Sequence, residues 1–115
     1  MIKKNKQMRT ESREKMRSGN GCVSIMHYFN KEEFKVPVRL CAKLTLMPGT
    51  SIGNHTHEKE AEIFIVLSGT AEVTDGDVTQ IISAGDATLT NPGESHSVRA
   101  IGDAPVEIVA VIISQ

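Results

Sequence analysis

Tryptophan is absent from this 115-residue chain, and only Phe29, Phe34, Phe64 and Tyr28 supply aromatic rings. So few rings leave no aromatic cage for a cationic ligand and no stacking platform for sugars. There are two cysteines, Cys22 and Cys41, and they lie in no CxxC arrangement. Their spacing argues against a structural zinc knot, and without an export signal they are expected to be buried free thiols rather than a disulfide. No apolar run approaches the roughly 18 residues of a membrane span, and the basic start lacks the apolar stretch of a secretory signal. A cytoplasmic location follows as the expectation. Sustained helical periodicity is also missing after residue 21, which excludes an all-helical fold.

What is present is the composition of one small globular domain: 39% hydrophobic and 23% charged residues in 115. The net charge of −1 hides an asymmetry, because seven of the 13 basic residues fall within the first 17 positions (Lys3, Lys4, Lys6, Arg9, Arg13, Lys15, Arg17). Residues 1–21 read as a basic arm, a marginal helix or an extended segment, closed by the turn residues Ser18-Gly19-Asn20-Gly21. Its lack of base-stacking aromatics makes a solvated arm packed on the body or on a second subunit the better reading than a nucleic-acid contact. Residues 22–115 read as short strands between turns: 23–28, 38–47, 51–57, 62–68, 69–74, 78–82, 86–90, 96–100 and 106–114. Asp75-Gly76 between two alternating runs marks a hairpin. Many short strands at this spacing imply an all-β sandwich or barrel. The nearly continuous apolar run at the end (Val106 to Ile113) is expected to be a strand covered on both faces, buried centrally or at a dimer interface.

Three of the four histidines and one glutamate stand at metal-ligand spacing. His55 and His57, at i and i+2, share a face only on an extended strand. Glu62 follows after four residues, enough for a tight turn into a returning strand, and His96 would arrive from another strand. Imidazole and carboxylate together suit Mn, Fe, Co, Ni, Cu or Zn, whereas an oxygen-only set would suit Mg or Ca. Phe64 and Val66 share the parity of Glu62 and should keep the same interior dry. Three imidazoles and one carboxylate leave one or two coordination positions open on a five- or six-coordinate ion. His27 and Asn54 are expected to play structural parts, and Glu58 and Glu60 to be solvated. Arg39 and Lys43 share a parity opposite the core face of Leu40, Ala42, Leu44 and Leu46, so neither is assigned as a substrate anchor.

These residues resemble the cupin superfamily in both of its signature motifs. The first is Gly49, five residues, His55-Thr56-His57, four residues, Glu62, six residues, Gly69. The second is Gly85, then Asn91-Pro92-Gly93, then His96; Asn91 stands where the family has proline and Ala100 where it has asparagine. Neither departure removes a ligand. The resemblance implies a double-stranded β-helix of jelly-roll type, one divalent metal in the barrel mouth and often a homodimer, and no single reaction. Two functions stay open: a metal-dependent enzyme acting on a small molecule (dioxygenase, isomerase, or decarboxylase or lyase), and a non-catalytic module that binds or senses a small ligand.

Overall fold

The period-2 alternation of the sequence is realised in ten strands, one more than the sequence pattern predicts. The computed structural model describes residues 1–115. The strands are β1 (Arg9–Glu14), β2 (Cys22–His27), β3 (Val38–Leu46), β4 (Ser51–Thr56), β5 (Glu60–Ser68), β6 (Thr70–Asp75), β7 (Val78–Ser83), β8 (Ala87–Thr90), β9 (Ser95–Ile101) and β10 (Val106–Ser114). They form a six-stranded sheet in the order β1-β2-β3-β10-β5-β8 and a four-stranded sheet in the order β4-β9-β6-β7. Every pairing is antiparallel. This is the all-β jelly roll that the motifs imply. The hairpin at Asp75-Gly76 joins β6 to β7, with Gly76 at φ 59°.

Inward residues of both sheets make one core. Val23 and Ile25, Leu44 and Leu46, Phe64 and Val66, and Val106, Ile108 and Ala110 are all 0–1% exposed. The barrel is packed at one end by these side chains, while polar residues occupy the other end. Strand β10 lies centrally between β3 and β5, but only one of its faces is covered. Val109 and Val111 are half-buried and Ile113 is 45% exposed, so the expected burial of both faces does not hold within one chain. The reason is that the second layer is a single four-stranded sheet, and nothing in the chain packs on the outside of the larger one. Cys22 is exposed and Cys41 half-buried, both free. Cys22 falls on the face of β2 opposite Val23, Ile25 and His27, which corrects the expectation of two buried thiols; burial raises the Cys41 thiol above its usual pKa.

The basic arm is not helical along its length. Its centre is β1, which pairs with β2 from Arg9↔His27 to Glu14↔Cys22. The sequence Arg9-Thr-Glu-Ser-Arg-Glu14 contains no apolar residue, so no alternation announces it. Polar contacts take the place of a hydrophobic face: Glu11 Oε2 accepts from His27 Nε2 at 2.6 Å and from Arg9 at 3.0 Å, and Glu11 Oε1 accepts from Arg13 at 3.1 Å. Beyond β1, a 3-10 turn over Met16–Ser18 crosses to β4 of the opposite sheet. Here Gly19 and Gly53 allow backbone to lie on backbone. A Cβ at Gly19 would collide with the Ser51 carbonyl, and one at Gly53 with the Arg17 carbonyl.

The hydrogen bond from His27, with Arg13 and Arg9 adding to it, lowers the Glu11 pKa from 4.5 to about 2. A carboxyl depressed on folding contributes stability that is complete above its unfolded pKa and is lost as pH falls toward the folded one. The melting temperature should therefore drop between pH 4.5 and about 2 more steeply in the wild type than in Glu11→Gln. At pH 7 the variant should melt a few degrees lower. Superimposable pH profiles would show that this ion cluster does not hold the arm.

Candidate metal centre

The two sheets deliver the ligand residues from opposite sides. His55 on β4 and His96 on β9 are directly opposed across one strand pair. His57 ends that edge, and Lys59, at φ 59°, turns the chain across to β5 in the other sheet, where Glu62 faces back. The expected returning strand thus crosses sheets instead of pairing with β4. His57, Glu62 and His96 are 2%, 5% and 1% exposed, and His55 is half-buried at the mouth. Phe64 stacks on the His96 ring, with centroids 5.0 Å apart, which fixes that imidazole and excludes water from one side.

Each imidazole has its outer nitrogen engaged. His55 Nδ1–H donates to the Gly53 carbonyl at 2.8 Å and His57 Nδ1–H to Glu60 Oε1 at 2.9 Å, while His96 Nδ1 and the Thr90 hydroxyl share a hydrogen bond of 2.9 Å. A carbonyl and an ionised carboxylate only accept, so His55 and His57 carry their proton on Nδ1 and turn the lone pair of Nε2 inward. The three Nε2 atoms lie 3.0–3.2 Å from one another. Glu62 Oε1 lies 3.0 Å from His57 Nε2 and 3.1 Å from His96 Nε2. Burial, the largest cause, pushes the His55 pKa below its ordinary value, which favours the neutral, lone-pair form. The four groups present electron pairs to a common point, and a positive charge there would relieve their repulsion.

The spacing also suits an ion. Around an ion with bonds of about 2.1 Å, neighbouring octahedral corners lie about 3.0 Å apart, tetrahedral ones about 3.4 Å, and opposite octahedral corners about 4.2 Å. Five of the six separations are 3.0–3.2 Å, and all four ligand atoms lie within 4.8 Å of one another. The four residues named from the sequence come together as a group that could hold one metal ion.

Three contributors were not evident from the sequence. Glu60, expected to be solvated, is 15% exposed at its side chain and takes a two-pronged ion pair from Arg39 at 2.8 Å as well as the His57 proton. The Arg39 guanidinium, chiefly, holds its carboxyl at about 2. Arg39 reaches it because the β3–β10 register slips there: Ile112 faces Leu40 while Ile113 faces Val38. That bulge redirects Arg39 to the rim, whereas Lys43 stays on the outer face, paired with Glu107 at 2.8 Å. Thr90 lies beside Glu62 in the β5–β8 ladder. The parity of Glu60 with Glu62 was the one signal available for any of these.

The cluster lies in a cavity of about 570 Å³ whose far wall is the arm. Six cationic side chains line it against four acidic ones. His27, expected to be structural, is buried on this wall in its bond to Glu11. Outer hydrogen bonds of this kind orient ligands, and losing one weakens metal affinity about 10- to 100-fold. Thr90→Val and Glu60→Gln should each weaken Mn²⁺ binding by that factor in calorimetric titration; unchanged affinity in both would show that the outer shell does not orient the imidazoles.

Comparison with known proteins bears on the family and the fold. The family model described as "Cupin domain" matches residues 42–112. An "Oxalate-binding protein" of Thermotoga maritima is 38% identical over 113 residues, covering 98% of this chain and 93% of its own. The crystal structure of a protein from the same organism described as a "predicted oxalate decarboxylase" superposes with a TM-score of 0.94 at 37% identity, over the whole of both chains. A cupin domain of Schizosaccharomyces pombe Cnp3, at 13% identity and a TM-score of 0.74 over 91% of this chain and 69% of its own, shares the fold alone. With both motifs in place on one jelly roll, the chain belongs to the cupin domain family.

Proposed function

We propose that the protein holds one divalent transition metal (Mn, Fe, Ni, Zn, Co or Cu) through His55, His57, Glu62 and His96, and binds a small carboxylate anion beside it. The observation that carries this is the convergence of four potential metal ligands beside a cavity whose lining holds six cationic side chains against four acidic ones. When bound, the metal would supply a Lewis acid for carboxylate oxygens, and four protein ligands would leave one or two positions open to them on a five- or six-coordinate ion. The likeness to an oxalate-binding protein over nearly the full chain supports oxalate, the smallest dicarboxylate, as the ligand. The arm, residues 1–21, turns Arg9, Arg13, Lys15 and Arg17 toward this cavity, which favours a small anion over a nucleic acid as its partner.

Binding is the primary reading. Glu11 and Glu60, with carboxyls at about 2, stay ionised at neutral pH and have no proton to give. Glu62 is committed to the metal. Turnover is the second reading, supported by the likeness to the T. maritima structure described as a predicted oxalate decarboxylase. We also propose a homodimer formed through the outer face of β5, β8 and β10. There Ile65, Leu67, Leu89 and Ile113 are 41–52% exposed, an apolar surface suited to a second copy.

Oxalate should bind Mn²⁺-loaded wild-type protein with one site per chain in calorimetry and should not bind His96→Ala; no heat with the wild type would refute the carboxylate reading. Formate and CO₂ release from oxalate would move the assignment from binder to decarboxylase. Light scattering should give twice the chain mass for the wild type and the single mass for Leu67→Glu, while a wild-type monomer would reject the dimer.

A further inference from the structure

The cavity cations are not equivalent. Arg9 and Arg13 are taken up by Glu11, and Arg39 by Glu60. Arg17 makes no ion pair or side-chain hydrogen bond, yet it lines the same cavity as His55, His57 and Glu62. Its backbone is held in the left-handed region, at φ 52° and ψ 39°, between Lys15 at φ 49° and Ser18 at φ 65°. Three non-glycine residues in that region within four positions cost backbone energy, and such strain persists where the surrounding structure dictates it.

The dictating contacts are present on both sides. Lys15 N–H donates to the Gly21 carbonyl at 2.8 Å, Ser18 N–H to Lys15 at 2.9 Å and Gly19 N–H to Met16 at 2.9 Å. These bonds close the elbow on itself. The Arg17 carbonyl then packs against Gly53, where no side chain would fit. Gly53 is also the residue whose carbonyl accepts the His55 proton. One short path of contacts therefore runs from Arg17 through Gly53 to His55.

We propose that Arg17 is the anion anchor of this cavity, a specificity-determining residue that the strained 15–18 elbow presents to the part of a dicarboxylate that does not meet the metal. This inference rests on the carboxylate reading above. A guanidinium offers paired N–H donors that match a carboxylate edge, and an unpaired one at a cavity mouth loses no existing partner on engaging a ligand. Lys15 and Lys31 also line the cavity without an acid, but neither joins the backbone contact that reaches His55. The arm, on this account, completes the binding site from the opposite sheet.

The test uses full-length Mn²⁺-loaded protein with oxalate and acetate as probes, for wild type, Arg17→Gln and Arg17→Lys, with metal content measured before and after titration. The metal content of Arg17→Gln should equal that of wild type. Its oxalate affinity should fall about 10- to 100-fold, the effect of losing a charged hydrogen bond, its acetate affinity should stay within about two-fold, and Arg17→Lys should lie between. Unchanged oxalate affinity in a fully loaded Arg17→Gln would overturn the anchor and leave the carboxylate reading standing. Equal loss for oxalate and acetate, or loss of metal, would overturn it in favour of a structural role. Failure of the loaded wild type to bind oxalate would overturn both.

Discussion

Three imidazole lone pairs and a carboxylate meet at one buried point, and much of the surrounding structure serves to keep them there. Neutral histidines could rotate or change tautomer to escape such a meeting. Here the Gly53 carbonyl and the Glu60 carboxylate prevent this at His55 and His57, and the Thr90 hydroxyl holds the outer nitrogen of His96 in place. Glu60 is itself fixed by Arg39, and His96 by stacking on Phe64. The energetic cost of assembling these groups is borne by the barrel core, whose inward residues on β3, β5 and β10 are almost wholly removed from water.

The jelly roll places these groups by dividing the work between its sheets. Two histidine strands lie side by side in the smaller sheet, and the turn at Lys59 sends the glutamate into the larger one. The six-stranded sheet overhangs the four-stranded one, and β1 with its following elbow closes the space between them. A largely exposed segment rich in arginine and lysine thus joins the wall of the same cavity. Charge in the arm and chemistry at the floor belong to one chamber.

Much of this was legible in the sequence because period-2 alternation and glycine-marked turns survive in strands that bury one face. The nine strands from residue 22 onward, the Asp75-Gly76 hairpin and the four clustered residues all follow from those signals. Strand β1 was hidden because its six residues are all polar and it is held by ion pairs to β2, which leave no periodic trace. Arg39 and Glu60 were hidden for another reason: a register slip moves Arg39 off the face its parity assigns, and the pairing it then makes draws Glu60 out of solvent. The outer face of β10 could not be assigned because a continuous apolar run does not tell a strand covered by its own chain from one left for something else to cover.

The most direct test of the central claim is elemental analysis of untagged protein purified without chelators or added metal, alongside His57→Ala and Glu62→Ala. The account predicts close to one transition-metal ion per chain in the wild type. It predicts marked loss in both variants, with the far-ultraviolet circular dichroism of the barrel retained. Full occupancy in both variants, or a wild type that takes up no metal even when divalent ions are supplied, would contradict it.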